Sequence, residues 1–86
     1  MALVRAEVAR PYWDWEGRKY IELKFEDGRV VRAKVPFRYG RVMCRVDGLV
    51  PIQELELGAS VQVLLEKKIW NGVTHWVILS ISFLEP

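Results

Sequence analysis

The sequence predicts an all-β fold, a small antiparallel barrel of five or six strands formed by a single domain over residues 1–86. Apolar and polar residues alternate with a period of two along most of the chain, and no sustained helical stripe is present. Glycine-containing turn signals separate the alternating runs. Five or six strands in a chain of this length favour a closed barrel, since closing a sheet into a barrel removes its exposed edges.

The alternation assigns each strand a face that points into the core. The predicted core positions are Val4, Ala6 and Val8; Ile21, Leu23 and Phe25; Val31, Ala33 and Val35; and Val42, Cys44 and Val46 in one strand from Arg41 to Val46. The last third, Val61 to Ile69 and Val73 to Phe83, predicts a pair of long strands. We also expect four rings to pack in the core, those of Phe25, Trp70, Trp76 and Phe83.

Two turns fix the register of these strands. A three-residue loop at Glu26-Asp27-Gly28, with its glycine in the left-handed conformation, pairs Leu23 with Val31 and keeps core residues on one face. A slip of one residue would send the whole apolar set to the wrong face. Asn71-Gly72 is the strongest short hairpin signal in the chain and joins the two long strands of the last third.

The stretch PYWDWEG, residues 11–17, raises the question of whether its rings are buried or exposed. A two-residue loop at Glu16-Gly17 pairs Trp13 with Tyr20, which is a favourable aromatic pair across strands. In that register Trp13, Trp15 and Tyr20 lie on the outer face. Pro11 marks a bend or an edge in the incoming strand.

Composition excludes several classes of protein. Hydrophobic residues make up 51% of the chain, and the single cysteine, Cys44, cannot form an intramolecular disulfide. No Cys/His set has zinc spacing, the sole histidine, His75, has no suitable catalytic neighbour, and no glycine loop fits a phosphate. We therefore expect no enzyme activity, no catalytic residues, no metal and no cofactor.

Compartment and source follow from the same composition. No secretory signal and no apolar run long enough to span a bilayer is visible, so we expect a cytoplasmic protein that does not bind membranes. Uncharged amide side chains are scarce beside 28% charged residues, which favours a thermophilic source.

Charge is distributed unevenly along the chain, although the net charge is only +2. The segment from Gly28 to Val46 contains six basic residues and no acidic one, whereas the segment from Asp47 to Glu66 contains four acidic residues and no basic one. A positive groove with exposed rings is the combination that binds single-stranded nucleic acid.

Residues 28–82 resemble the S1-type RNA-binding domain, a branch of the OB fold. The matching features are Gly28 before alternating valines, Tyr39-Gly40 before the strand that starts at Arg41, the run Gly48-Leu49-Val50-Pro51-Ile52, and Gly58 before Val61 and Val63. The resemblance implies an OB-like barrel that binds RNA, with an SH3-like barrel as the alternative. Of the family's binding positions only Tyr39 is present, since Val42 and Pro51 stand where an aromatic residue and a histidine are usual.

We predict a non-enzymatic module that binds nucleic acid, with single-stranded DNA or RNA preferred. Basic residues of two strands and of the loop between them would bind phosphates, and rings of that loop would stack on bases. The predicted binding residues are Arg32, Lys34, Phe37, Arg38, Tyr39, Arg41 and Arg45. If the two strands are neighbours in one sheet, about 4.8 Å apart, their basic side chains form one patch.

The rings of Trp13, Trp15 and Tyr20 are candidates for base stacking or for a protein interface. A base-stacking surface is both aromatic and cationic, whereas the core of a protein interface is depleted of charge. Because Asp14 and Glu16 alternate with the two tryptophans, this surface favours a protein partner. The alternative function is therefore a protein-interaction or oligomerisation subunit of a larger nucleoprotein assembly, either a homodimer or bound to another protein.

Overall fold

Strands dominate the computed structural model, which describes residues 1–84. They are β1 (Ala2–Trp15), β2 (Arg18–Phe25), β3 (Val30–Lys34), β4 (Phe37–Arg38), β5 (Arg41–Val42), β6 (Arg45–Val46), β7 (Val50–Pro51), β8 (Ser60–Trp70) and β9 (Val73–Phe83). A short 3-10 helix, Ile52–Glu54, lies between β7 and β8. Within residues 1–84 no helix is long and apolar enough to cross a membrane.

Five of these strands close into a barrel. The pairs β1–β2, β2–β3, β1–β8 and β8–β9 are antiparallel, and a parallel β3–β9 pair completes the ring. The prediction of an all-β fold with a small closed barrel is confirmed. The barrel is consistent with an OB-like or an SH3-like architecture.

The predicted hairpin registers are confirmed. Leu23 faces Val31 across β2 and β3, and Gly28 in the connecting turn has a φ of +89°, in the left-handed region that favours glycine. Strands β8 and β9 pair in antiparallel orientation up to the Asn71-Gly72 turn. Trp13 faces Tyr20 next to the turn between β1 and β2, as predicted.

Aliphatic side chains fill the barrel. The largest fully buried ones are Val8, Ile21, Leu23, Val46, Ile52, Val61, Val63, Leu65 and Ile78. Each contributes about 1.5–3 kcal/mol by leaving water. No polar or charged side chain of the described chain is buried, so the core is held by apolar packing.

The predicted core rings divide into two pairs. Phe25 and Trp76 are half-buried and pack against the core, as expected. Trp70 and Phe83 are 46% and 41% exposed, so their prediction as core residues is wrong. Trp70 lies beyond the β1–β8 ladder, which ends at Leu65, and Phe83 is the last residue of β9.

The predicted strand from Arg41 to Val46 is interrupted. β5 pairs only with β4 in a separate two-stranded sheet, whereas β6 pairs with β7 and β9 in the main sheet. Cys44 and Val46 are nevertheless buried, as the alternation predicts. The pattern therefore gave the burial of these residues correctly, but the chain passes from one sheet to another between Val42 and Arg45.

Two irregularities in β1 decide which of its side chains face outward. The register with β2 shifts between Val8 and Arg10 and again between Arg10 and Trp13. In strict alternation with the buried Val8, Arg10 would point into the core, but the first shift places it across from Glu22 on the outer face. The second shift includes Pro11, the residue predicted to mark a bend.

Candidate nucleic-acid interface

The predicted basic patch is divided between two parts of the molecule. Arg32 and Lys34 lie on β3 in the barrel, whereas Arg38 and Arg41 lie on β4 and β5, which form no ladder with β3. The condition for a single patch, that the two basic strands are neighbours in one sheet, is therefore not met. After Lys34 the chain leaves the barrel and forms its own two-stranded ribbon, residues Phe37–Val42, called the ribbon below.

Arg45 belongs to neither group. β6 pairs with β9 at Ile81, whereas β3 pairs with β9 at Trp76. These two positions on β9 are five residues apart, which is about 16 Å along a strand. The Arg45 guanidinium donates a hydrogen bond to the carbonyl oxygen of Leu49. In this position Arg45 stabilises the turn between β6 and β7, and it is not part of a joint surface with β3.

The ribbon presents two unpaired arginines and an exposed ring. Arg38 and Arg41 are direct register partners, and neither has a salt bridge within residues 1–84. Tyr39 and Gly40 form the connecting turn with φ values of +53° and +75°, typical of a tight hairpin. The Tyr39 side chain is 90% exposed.

This arrangement costs stability. Like charges directly opposite each other on two strands repel, and a bulky residue with a positive φ is strained. The energy of folding alone would favour an acidic residue in place of one arginine and glycine or asparagine in place of Tyr39. The ribbon is therefore better suited to contact an anion than to stabilise the fold.

Phe37 connects the ribbon to the barrel. The Lys19 ammonium lies 4.2 Å from the centroid of the Phe37 ring. The same ammonium forms a 2.6 Å ion pair with Asp14 and donates a 3.0 Å hydrogen bond to the Gly17 carbonyl. The ribbon consequently begins beside the turn between β1 and β2, where Trp13 and Trp15 lie.

Rings and cations are stacked on the outer face of β1, β2 and β3. The Arg10 guanidinium carbon lies 3.7 Å from the centroid of the Trp13 ring. The Arg32 guanidinium carbon lies 5.5 Å from the centroids of both Trp13 and Tyr20, and those two rings are 5.4 Å apart. These distances allow cation–π attraction. The nearest carboxylate to Arg32 is Glu22, in a long ion pair of 3.8 Å.

Tyr20 is not available for contact. It lies outside the barrel core, as the alternation predicts, but its exposed fraction is only 6%. The ring of Trp13 and the guanidinium of Arg32 cover it. The prediction of Tyr20 as a stacking or interface residue is therefore wrong. Its ring instead packs beneath the ring of Trp13.

Trp15 has a free ring, and Asp14, one of its two acidic neighbours, is ion-paired. Trp15 is 55% exposed, and no ring or cation of the described chain stacks on it. The hydrogen bond from Lys19 lowers the pKa of Asp14, and its ion pair with Lys19 and a 3.1 Å bond from the Gly17 amide act in the same direction. A surface depression of about 500 Å³ is lined by Arg10, Trp13, Asp14, Trp15 and Arg32.

A further aromatic pair lies on the hairpin of β8 and β9. The ring centroids of Trp70 and His75 are 4.5 Å apart, and the Lys34 ammonium lies 4.6 Å from the Trp70 centroid. Burial, together with the charges of Lys34 and Arg18, lowers the pKa of His75 below the ordinary value of 6.5. The neutral form of the imidazole therefore predominates at pH 7. Strands β3, β8 and β9 meet at this point, through Lys34, Trp70 and His75.

We call the outer surface formed by β1, β2, β3 and the β8–β9 hairpin the barrel face. Its rings and cations are Arg10, Trp13, Trp15, Arg18, Arg32, Lys34, Trp70 and His75. Sequence reasoning missed Arg10 and placed Trp70 in the core. The sequence did contain one indication for Arg10. Strict alternation with Val8 would point this arginine into the core, and a charged residue at such a position indicates a bulge.

Burial raises the pKa of the Cys44 thiol to about 11, which keeps it in the unreactive protonated form. Within the described part of the chain, no three His, Cys, Asp or Glu side chains are grouped so that they could hold a metal ion.

Comparisons of this chain with models of protein families, with curated proteins and with solved structures gave no match. The closed barrel is therefore established by its strand pairing, and the S1-type resemblance rests on the sequence features that suggested it.

Proposed function

We propose that this protein binds single-stranded nucleic acid across the ribbon and the adjacent barrel face. The observation that carries the proposal is the Arg38–Arg41 pair, two exposed arginines at directly opposite register positions with no salt-bridge partner in residues 1–84. A phosphodiester placed between them would relieve their repulsion and accept charge-assisted hydrogen bonds from both.

Accessible rings supply the second requirement for binding single strands. Tyr39, Trp15 and Trp70 are 90%, 55% and 46% exposed, and each lies at or beside a hairpin turn. Stacking of one base on such a ring contributes about 1–3 kcal/mol, independently of sequence. Cations lie near these rings, Arg38 on the ribbon and Arg10 and Lys34 on the barrel face, so each region offers partners for both phosphates and bases.

The barrel topology supports the same location. OB-like barrels bind oligonucleotides on the face of their second and third strands and on the loops that follow the first and fourth strands. The corresponding elements here are β2, β3, the turn between β1 and β2, and the turn between β8 and β9. The last two carry Trp15 and Trp70. We accordingly assign the barrel to the OB-like type within this proposal.

A protein-interaction subunit is the second candidate, since Trp15 is an exposed apolar ring. The charge around it favours nucleic acid. Arg10 and Arg32 flank Trp13, and Asp14 is paired with Lys19. Glu22 pairs with Arg32 at 3.8 Å and Glu16 lies beside Trp15, so the surface is aromatic and charged, whereas interface cores are depleted of charge.

The test is a salt titration of binding, measured by the fluorescence anisotropy of a labelled mixed-sequence oligonucleotide. We expect affinity to fall steeply as salt rises, because counterions are released from the phosphates. The double variant Arg38→Ala/Arg41→Ala should reduce the slope of log K against log salt by about 2, one for each lost phosphate contact. Single-stranded DNA, single-stranded RNA and a duplex are compared in the same buffer.

Arg29→Ala is the matched control, because the Arg29 guanidinium is already paired with Asp27 at 2.8 Å in the turn between β2 and β3. It should leave the salt slope unchanged. Absence of binding to all three nucleic acids at low salt would reject the proposal. Binding with the same slope in the double variant would remove the ribbon from the interface.

A further inference from the structure

We infer that the depression between Trp13 and Trp15 binds one nucleotide, with its base stacked on Trp15 and its phosphate held by Arg10 and Arg32. This inference rests on the proposed function, since it assigns one nucleotide of a bound strand to a specific site. The depression is separate from the ribbon. Its volume of about 500 Å³ lies within the usual range of small-ligand sites, about 300–1,000 Å³.

The position of Arg10 is the first reason. Strict alternation would point this side chain into the core, and the register shift between Val8 and Arg10 turns it outward. Bulges of this kind often re-aim a side chain at a binding site. Arg10 forms no salt bridge in the described chain, although Glu22, its register partner on β2, lies on the same face.

Trp13 holds the Arg10 guanidinium in a position from which it can bind a phosphate. The guanidinium carbon lies 3.7 Å from the ring centroid, which is a stacking distance. A guanidinium stacked on a ring keeps its N–H donors, which lie in its own plane, free for a phosphate oxygen. Trp13 itself packs on the ring of Tyr20. We therefore assign Trp13 as a positioning residue and Arg10 as the phosphate ligand.

Trp15 and Asp14 complete the site. Trp15 is the free ring of the depression, exposed by 55%, and it follows Trp13 on the same strand. Asp14 would repel a phosphate if its charge were uncompensated. Its 2.6 Å ion pair with Lys19 removes that obstacle. A flat ring beside two guanidinium groups matches a ligand that is both aromatic and anionic, which describes a nucleotide.

The experiment compares two oligonucleotides of equal length, one of thymidine units and one of abasic units, in the wild-type protein, Trp15→Ala and Arg10→Gln. Trp15→Ala should lower the affinity for the thymidine oligonucleotide at least about fivefold and leave the abasic one unaffected, because only a base can stack. Arg10→Gln should weaken both and reduce the salt slope by about 1.

Arg5→Gln is the matched control, since Arg5 is exposed on the same strand and lies outside the depression. It should lower the salt slope less than Arg10→Gln does. Thermal melting confirms that each variant is folded. Equal losses for both oligonucleotides in Trp15→Ala, or no loss at all, would overturn the inference. Light scattering that shows a wild-type dimer and a monomeric Trp15→Ala, with nucleic-acid binding unchanged, would assign the surface to a protein partner instead.

A mononucleotide separates this inference from the proposed function. Thymidine 5′-monophosphate is titrated at millimolar concentrations, and the indole N–H signals are followed by NMR, with Trp15→Ala used for assignment. A shift of the Trp15 signal supports the site even if no oligonucleotide binds, in which case only the proposed function fails. If oligonucleotides bind with salt dependence and the Trp15 signal does not move, the inference fails and the proposed function stands.

Discussion

The barrel face and the ribbon present similar groups but hold them differently. On the barrel face the cations contact rings of the protein itself, Arg10 at Trp13 and Lys34 at Trp70. On the ribbon Arg38 lies opposite Arg41, and no acidic group within the described residues compensates either charge. The first region is stabilised by the groups that it presents, whereas the second is destabilised by them.

Under the proposed function, this difference predicts that stability and affinity fall together in variants of the barrel face and change independently or in opposite directions in variants of the ribbon. The barrel face lies on strands that close the barrel, so its rings contribute to folding. The ribbon consists of two strands of two residues each, and its turn residue is 90% exposed. Variants of the two regions should therefore differ in the ratio of the stability lost to the affinity lost.

The largest expected effect is that of Trp13→Ala on stability. This variant removes an aromatic pair with Tyr20, about 0.5–1.5 kcal/mol, and cation–π contacts with Arg10 and Arg32, about 0.5–1 kcal/mol each. We expect the free energy of unfolding to fall by about 2–3 kcal/mol. Urea denaturation measures this change as a lower midpoint with an unchanged m-value.

Tyr39→Ala on the ribbon is the control for Trp13→Ala. Its ring is almost fully exposed, so the free energy of unfolding should change by less than about 0.5 kcal/mol. Equal losses in the two variants would show that the ribbon contributes to folding as much as the barrel face does, which would contradict the comparison.

The second effect concerns His75 and the pH dependence of binding. Burial, Lys34 and Arg18 lower the pKa of His75 in the free protein, and Lys68 is its register partner on β8. A bound phosphate would offset these cations and raise the pKa in the complex. The complex then binds the proton more tightly, so affinity increases as pH falls through the pKa of His75 in the complex. The gain reaches about tenfold for a difference of one pKa unit.

Oligonucleotide affinity measured between about pH 7.5 and about pH 5.5 tests this expectation. His75→Gln should remove the increase and leave the affinity at the higher pH nearly unchanged. Arg38→Ala should keep it, because the ribbon lies on a different part of the surface. An equal pH dependence in His75→Gln would place the responsible group elsewhere and would remove the β8–β9 hairpin from the interface.

Much of the fold could be predicted from local pattern. The alternation identified the buried residues of β1, β2 and β3, and the glycine turns gave the registers of Leu23 with Val31 and of Trp13 with Tyr20. These features are local, since a turn type fixes the pairing of its two strands. The parallel β3–β9 pair that closes the barrel joins distant segments, and no local pattern specifies it.

The candidate site was less predictable for the same reason. The alternation places Tyr20 on the outer face of β2, but its side chain is buried there by Trp13 and Arg32 from neighbouring strands. The sign of charge around Trp15 depends on the contact of Asp14 with Lys19 and on the outward turn of Arg10. Sequence order placed acidic residues beside the tryptophans, whereas in the folded surface Asp14 is paired with Lys19 and two arginines lie at Trp13. These contacts are the support for the proposal that the partner is a nucleic acid.

The smallest effect, and the one that separates the two regions most clearly, is that of Arg41→Glu. It converts a like-charge pair into an opposite-charge pair with Arg38, so the free energy of unfolding should rise by about 0.2–1 kcal/mol. Oligonucleotide affinity should fall in the same variant, because one phosphate contact is lost and a negative charge takes its place. Urea denaturation and anisotropy on one protein preparation measure both quantities. A variant that is less stable, or one that binds as tightly as the wild type, would show that the opposed arginines serve folding, and the ribbon would then no longer be the phosphate-binding element.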